Sequence, residues 1–460
     1  MFTKRLRRVP RGRLAGAAAM ILLALALPFF LRADDRERAF VLDNGIRVFL
    51  YEKRDLPLVH VVVGFDVGSK NETDATSGLV HLLEHCILFR GTTTRSGADV
   101  VADVRRHGAY FNAHTGVDLS VFDISVPAAE AAFALRNQKD ILFGFDITQA
   151  EIDGEKEVIL EEFNQMEDDP RLRATDLVLQ ALFPGHPYGR SVYGNREVVA
   201  AAKAEDMLAF YRKYFVTGNC AIAAVGDFAG ADMEKLVREI FGPLPKAEAP
   251  ADALPPAVPL KKSVSQRLER DVKDGYLYLG FAAPDYNSGD QYAVNVLTEV
   301  LGRGVNPLLP ALLRSERDIL QTVDMAYLAN RYAGAIVVSI RADPKDIPTL
   351  ERRAVASLKT AQSESYSKQD FQGQAELFAF DYLESAKNQI RFAFGRADES
   401  GLQLASSLVR YLLLNTRETP PRYLDAIGRV DSSDLRKAAS KYLSKGDCAA
   451  VSIVPKKGQK

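Results

Sequence analysis

A proline-rich segment near the middle of the chain divides it into two parts. Six prolines fall within residues 243–259, where alanine is the other frequent residue. Proline has no backbone N–H and a fixed φ, so such a segment does not continue a helix or a central strand. The sequence therefore predicts an extended linker over residues 243–261, between folded units over residues 36–242 and 262–460.

Strands and helical segments alternate on both sides of this linker. In the first unit, an Asn-Gly turn and apolar runs predict strands over residues 40–42, 46–51, 58–65 and 220–225, with two more between residues 109 and 126. In the second unit, strands are predicted over residues 275–284, 334–342 and 448–455. The second unit thus repeats the scheme of the first, which indicates an α+β protein.

The segment His81-Leu-Leu-Glu84-His85 presents two imidazoles and one carboxylate within five residues. Residues three and four positions apart share a helical face. His81 and His85 can therefore bind one divalent metal ion, with Glu84 beside it as a base. The order His-x-x-Glu-His is the inverse of the commoner His-Glu-x-x-His. The alternative is an ordinary amphipathic helix, but the flanking residues are apolar and the chain has only six histidines.

A catalytic zinc site needs a third protein ligand, which a second helix is expected to supply. Thr148 and Glu151 form a capping box that starts a helix, and Asp169-Pro170 ends it. Glu155 and Glu162 lie within the apolar stripe of this helix and are the candidates. The alternative is that they belong to a solvated acidic face.

Together these motifs resemble the pitrilysin/insulinase (M16) family of inverted zinc metallopeptidases, especially its short bacterial and mitochondrial-processing-peptidase-like branch. The matching residues are His81-x-x-Glu84-His85, Glu155 to Glu162, Phe89-Arg-Gly91-Thr92, Phe111-Asn112-Ala113-His-Thr115, and His186-Pro-Tyr-Gly-Arg190 with Gly194. The resemblance covers most of residues 38–230. It implies two homologous lobes, each a mostly antiparallel sheet packed with helices, the second closing over the substrate.

The resemblance also implies residue roles for the hydrolysis of peptides or unfolded protein segments. The ligands of a single Zn²⁺ would be His81, His85 and Glu162. Glu84 would be the general base, and Glu155 would orient a ligand histidine. Asn112 and Ala113 would lie on an edge strand that pairs with an extended substrate.

In the second lobe, the family has an arginine and, seven residues later, a tyrosine that hydrogen-bond the substrate carbonyl. The matching positions here are Arg314 and Gln321. Loss of such a donor costs about 10²–10³ in rate. We therefore expect a homo- or heterodimer with a homologous chain that supplies the missing group. The alternative function is a catalytically weak or silent structural or assembly subunit with the same fold.

The N-terminal segment carries a targeting pattern. Six basic residues between Lys4 and Arg13 precede an uncharged, mostly apolar run from Leu14 to Leu31. This order is typical of an export signal, and the run is close to the length that spans a bilayer. Residues 1–35 are thus predicted to be a cleaved signal peptide or a membrane anchor through residues 14–31. Either outcome predicts a periplasmic enzyme or one anchored to the outer face of the cytoplasmic membrane.

The overall charge gives no indication of a nucleic-acid partner. The chain has 59 basic and 60 acidic residues, so it lacks the net positive charge that draws a protein to a polyanion. Its three cysteines, Cys86, Cys220 and Cys448, are too few and too scattered for a disulfide framework or a cysteine-based metal site. Cys86 adjoins His85 but is expected to be a small core residue.

Overall fold

A computed structural model describes residues 36–251, 254–313, 320–364, 366, 381–414, 420–444 and 447–456. The predicted signal or anchor over residues 1–35 and the predicted substrate contact Arg314 lie outside these residues. Within them, no helix is long and apolar enough to cross a membrane. These residues form two sheets, each packed against helices, so the predicted α+β class is confirmed.

The first sheet has six strands. They are β1 Glu37–Val41, β2 Arg47–Glu52, β3 Leu58–Phe65, β4 Tyr110–Thr115, β5 Ser120–Pro127 and β6 Cys220–Gly226. Their order is β1-β2-β6-β3-β5-β4, and only the β2–β6 pair is parallel. The strand β4 therefore lies at one edge with one side of its backbone unpaired by the sheet.

The described residues of the first half of the chain form eight α-helices. They are α1 Leu79–Phe89, α2 Gly97–Arg106, α3 Ala131–Phe143, α4 Gln149–Asp168, α5 Pro170–Leu182, α6 Arg196–Ala201, α7 Ala204–Tyr214 and α8 Gly230–Phe241. One face of the sheet shares a buried core with α1, in which Val61 and Phe122 cluster with Leu83 and Ile87. Burial of these apolar side chains stabilises the position of α1 on the sheet.

The second sheet has five strands in the order β7-β11-β8-β10-β9, with β7 and β11 parallel. They are β7 Val264–Arg270, β8 Gly275–Ala283, β9 Leu320–Ala329, β10 Gly334–Ala342 and β11 Cys448–Pro455. The α-helices of this half are α9 Gln291–Thr298, α10 Leu308–Leu313, α11 Ile347–Thr360, α12 Tyr382–Glu399, α13 Gly401–Leu414, α14 Pro420–Arg429 and α15 Ser432–Ala438. π-Helical turns, Glu299–Arg303 and Ala439–Ser444, extend α9 and α15.

Each half of the chain contributes a helix to the sheet of the other half. Helix α5 packs on β8 and β11, and α13 packs on β3 and β6. Glycines permit the close approach: a Cβ at Gly64 would lie 2.4 Å from Val409 Cγ1, and one at Gly280 would lie 2.9 Å from Val178 Cγ2. No local sequence pattern predicts this exchange.

Polar contacts also join the halves at the turn between β9 and β10. Arg331 donates to Asp66 Oδ2 over 2.5 Å through its guanidinium and to Asp118 Oδ2 over 2.9 Å through its backbone N–H. The other oxygen of Asp118 accepts a 2.7 Å hydrogen bond from the Tyr188 hydroxyl. The carboxylates of the first half thus fix the position of this turn.

Candidate metal centre

Helix α1 begins at a close crossing of two backbone segments. Its N-cap residue Gly78 has φ +99°, a conformation that favours glycine. A Cβ at Gly194 would lie 2.1 Å from the Cα of Gly78, so Gly194 is required as well. The first turn is capped from outside the helix, because Glu72 Oε1 accepts a 2.9 Å hydrogen bond from the Val80 N–H. Burial raises the pKa of Glu72 to about 8, although backbone N–H groups oppose the shift.

Helix α4 starts and ends where the sequence predicts. Thr148 and Glu151 form the expected capping box, with the Thr148 N–H donating to Glu151 Oε2 over 2.8 Å, and Asp169 ends the helix. Its inward stripe includes Ile159 and Phe163, whereas Val158 is exposed. Helix α4 packs against α1, which brings its acidic residues to the two histidines.

Three side chains converge between α1 and α4. The Nε2 atom of His81 lies 3.5 Å from Glu162 Oε2, and the Nε2 atom of His85 lies 3.6 Å from Glu162 Oε1. One ligand atom from each residue can be chosen so that all lie within 4.8 Å of one another. Across the described part of the chain, this is the one cluster of histidine, cysteine or acidic side chains that has the geometry to hold a metal ion.

The donor set fits zinc. Zinc in proteins binds histidine nitrogen and carboxylate oxygen at about 2.0–2.2 Å in a tetrahedron, which separates neighbouring donor atoms by about 3.4 Å. The separations of 3.5 and 3.6 Å are close to that value. Near the cluster, Glu84 Oε2 is buried without a hydrogen-bond partner among the described residues. A buried, unpaired carboxylate oxygen is suited to a water molecule or substrate group beside the metal.

Glu155 orients His85. The Nδ1 atom of His85 lies 3.0 Å from Glu155 Oε1, and Arg90 Nε donates to Glu155 Oε2 over 2.6 Å. When Nδ1 carries the proton, the lone pair of Nε2 points toward Glu162. Burial acts to raise the pKa of Glu155, but His85 and Arg90 outweigh it and lower the pKa overall. Glu155 therefore stays anionic and acts as the hydrogen-bond acceptor.

The electrostatic surroundings favour the neutral form of His81. Burial lowers the pKa of His81 to about 4, with help from His85 and His114. For His85 burial also acts downward, but Glu155 and Glu162 outweigh it and raise the pKa. Metal binding requires neutral imidazole, which burial favours at His81, whereas Glu155 and Glu162 favour the protonated form of His85.

Glu84 is 9% exposed and lies on α1 between the two histidines. Burial raises the pKa of Glu84, while Thr115 and the histidines His85 and His114 oppose the shift. Thr115 and His114 belong to β4, which packs directly on α1. Glu84 is thus enclosed between the helix and the edge strand.

The residues predicted to bind substrate have different surroundings. Asn112 and Ala113 lie on the edge strand β4, where Asn112 is exposed and the side chain of Ala113 is buried. Gln321 is exposed at the start of β9, and its Nε2 donates to Asp274 Oδ1 over 2.9 Å. Its described hydrogen bond therefore goes to the residue that precedes β8 and not to the His81–His85–Glu162 cluster.

Four residues near the cluster were not predicted to belong to it. They are Glu72, Arg90, His114 and Tyr193. Arg90 and His114 lie within motifs that resemble the M16 family, and this position could have marked them as functional. No rule of helical spacing links them to His81 and His85. The ring of Tyr193 lies 5.4 Å from the His81 ring, at an angle of 89°. Cys86, in contrast, is buried in the core as expected, with a pKa raised by burial.

The two-lobed α+β fold and the His-x-x-Glu-His helix define an inverted zinc-peptidase architecture, and comparison with known families agrees. Residues 47–196 match the family described as Insulinase (Peptidase family M16), and residues 201–377 match the Peptidase M16 inactive domain. The chain belongs to the M16 peptidase family, as the motifs predicted.

Relatives and solved structures extend the match. An uncharacterized zinc protease of Mycobacterium bovis is 29% identical over 308 residues, which cover 65% of this chain and 69% of the relative. The probable mitochondrial-processing peptidase subunit beta of Schizosaccharomyces pombe is 24% identical over 428 residues, and this match covers 90% of each chain. A protease from Helicobacter pylori has a TM-score of 0.81 at 20% identity, over 91% of this chain and 99% of its own. A Pseudomonas fluorescens structure titled as a peptidase M16 inactive domain also has a TM-score of 0.81, at 19% identity over 92% and 99%. These two structures support the fold.

Proposed function

We propose that this protein is a zinc-dependent endopeptidase that hydrolyses peptides or unfolded protein segments. The observation that carries the proposal is the convergence of His81, His85 and Glu162, with the enclosed Glu84 on the same helix as the histidines. Three protein ligands leave one position open, which is the pattern of a catalytic rather than a structural zinc site. The names of the zinc-protease relatives support the same reading.

When bound, zinc would supply Lewis acidity that activates water and polarises the scissile carbonyl. Glu84 accepts the proton of the attacking water and transfers it to the leaving amine. Burial raises the pKa of Glu84, which makes its carboxylate a stronger base. Glu155 and Arg90 keep His85 in one orientation throughout.

The edge strand β4 is the proposed substrate platform. It lies at the end of the first sheet and packs on the helix that carries Glu84. An extended peptide can add to its free side through backbone hydrogen bonds, which tolerate many side chains. Asn112 would contribute an exposed side chain to this strip, and Ala113 would contribute its backbone.

Export and pairing belong to the proposal as well. The basic and apolar runs of residues 4–31 support an exported protein, periplasmic or anchored to the outer face of the cytoplasmic membrane. Dimerisation with the same or a homologous chain would place residues of the partner beside the His81–His85–Glu162 cluster. A reporter fused to the chain and active only in the cytoplasm would contradict export.

A second candidate function is a structural or assembly subunit with little turnover. It is favoured by the match of residues 201–377 to a domain described as inactive, and by Gln321 at the position where the family has tyrosine. This candidate predicts zinc binding without cleavage.

The deciding experiment combines zinc analysis with peptide cleavage. Purified protein should contain about one zinc per chain and cleave unstructured peptides, and Glu84→Gln should retain the zinc and lose the cleavage. Glu157→Gln, an exposed change on α4, is the matched control. Zinc-loaded protein that cleaves nothing, alone or with a homologous chain, would reject the endopeptidase and favour the second candidate.

A further inference from the structure

The loop before α6 is pinned against the start of the metal-binding helix. The Asn195 N–H donates to the Ser77 carbonyl over 3.2 Å, next to the contact between Gly194 and Gly78. A Cβ added at Gly78 would also lie 2.9 Å from the carbonyl oxygen of Tyr193. Because two backbones meet here without intervening side chains, the position of Tyr193 relative to α1 is set by the fold.

This position brings the Tyr193 ring to the metal cluster. The ring stands edge-on to His81 at 5.4 Å, and His81 stands edge-on to His85 at 5.0 Å. Tyr193 also lies 6.5 Å from Phe163, one residue beyond Glu162. Its ring therefore contacts a candidate ligand on α1 and the neighbour of a candidate ligand on α4.

The hydroxyl of Tyr193 has no hydrogen-bond partner among the described residues. The ring is only partly buried, so this hydroxyl is not enclosed in the core. A phenolic O–H is a hydrogen-bond donor at neutral pH.

In the second lobe, Gln321 stands where the M16 resemblance implies a tyrosine donor. Its amide N–H donates to Asp274. We infer that Tyr193, from the metal-bearing lobe, donates the hydrogen bond that stabilises the oxyanion formed at the scissile carbonyl. The inference rests on the proposed function. It makes Tyr193 a catalytic residue that touches the substrate, and the isolated chain does not need a partner to supply this donor.

The alternative is that Tyr193 only packs against His81. Phenylalanine retains that packing and removes only the hydroxyl, so Tyr193→Phe separates the two roles. Tyr214→Phe is the matched control, because Tyr214 belongs to the same lobe, at the end of α7, and its ring contacts Phe210 rather than the histidines.

The primary measurement is the affinity of the zinc-loaded, full-length protein for a peptide phosphinate, whose tetrahedral anionic group resembles the transition state. Tyr193→Phe should weaken phosphinate binding at least about tenfold and reduce kcat by about 10²–10³-fold, because a donor to the oxyanion is lost. Zinc content and binding of an ordinary peptide, measured in the Glu84→Gln background, should not change. Tyr214→Phe should leave all four quantities unchanged.

Equal phosphinate affinity of Tyr193→Phe and the unaltered protein, including no measurable binding by either, would overturn the inference. Loss of zinc from Tyr193→Phe would also overturn it, since the tyrosine would then support the ligands and not the oxyanion. The proposed function fails separately, if the zinc-loaded unaltered protein binds the phosphinate but cleaves no peptide. In that case the comparison of phosphinate affinities still decides the role of Tyr193.

Discussion

Nδ1 of His85 lies 3.0 Å from Oε1 of Glu155, although the two residues are 70 positions apart in the chain. This contact joins α1 to α4 and leaves the other ring nitrogen of His85 facing Glu162. Arg90 holds the opposite oxygen of Glu155. A candidate metal ligand, the carboxylate that orients it and the arginine behind that carboxylate thus form one chain of polar contacts.

Glu155→Gln is expected to weaken zinc binding by about 10–100-fold without preventing folding, because an outer partner orients a ligand but does not coordinate. Competition with a chromogenic chelator measures this change. Glu157→Gln, on the exposed side of the same helix, should retain the original affinity. An unchanged zinc affinity in Glu155→Gln would show that the hydrogen bond to His85 has no bearing on the metal.

Removal of a ligand should have a different signature from removal of the base. His85→Ala and Glu162→Gln are each expected to lower zinc content far below one per chain, because three protein ligands are required. Glu84→Gln should keep the metal and abolish cleavage. Elemental analysis of dialysed proteins, together with a peptide assay, tests both. Full zinc retention by the two ligand variants would refute the assignment of His85 and Glu162.

Glu72 should make the stability of the metal-free protein depend on pH. Its pKa is about 8 in the folded protein and near the ordinary 4.5 when unfolded, so the folded state binds more protons between these values. The free energy of unfolding should therefore fall as pH rises from about 5 to 8, by at most about 1.4 kcal/mol per pH unit from this group. Glu72→Gln, which can still accept from Val80, should lose this slope. Urea denaturation at several pH values measures the free energy of unfolding, with Glu157→Gln as the control. If this free energy changed with pH in the same way in Glu72→Gln and in the unaltered protein, the prediction would be wrong.

The packing of α13 on the first sheet should not tolerate a side chain at Gly64. An alanine Cβ there would lie 2.4 Å from Val409 Cγ1 and 2.9 Å from Leu413 Cδ1. We expect Gly64→Ala to destabilise the protein by about 1–3 kcal/mol through overpacking. Gly395→Ala within α12, where nothing lies within 4 Å of the new Cβ, should instead stabilise by up to about 1 kcal/mol. Chemical denaturation compares the two, and equal stabilities would show that α13 moves freely on the sheet.

Gln321→Tyr should affect cleavage differently in two backgrounds. In the Tyr193→Phe protein it is expected to raise kcat/KM at least about tenfold, because it restores an oxyanion donor. In the unaltered protein the gain should be smaller, since Tyr193 already donates. Addition of a homologous partner chain should likewise raise kcat/KM more in the Tyr193→Phe protein than in the unaltered protein. Equal gains in both backgrounds would show that the two tyrosines do not share one role.

Much of the local structure follows from adjacent residues. The strand β3 coincides with the predicted apolar run, and the capping box starts α4 where expected. The strands β7 and β9 were not predicted, because their exposed positions interrupt any continuous apolar run. An edge strand needs no apolar residues on its open side, so its signal in the sequence is weak.

The sequence alone determined the chemistry of the candidate site. The spacing of His81, Glu84 and His85 places them on one helical face whatever the surroundings, because the geometry of a helix is local. Tertiary structure alone decided which groups meet this face, such as Arg90 behind Glu155 and Tyr193 beside His81. It also decided the exchange of α5 and α13 between the sheets. Periodicity shows that a face is apolar or polar, but the surface that covers it depends on packing between residues far apart in the chain, which no local pattern encodes.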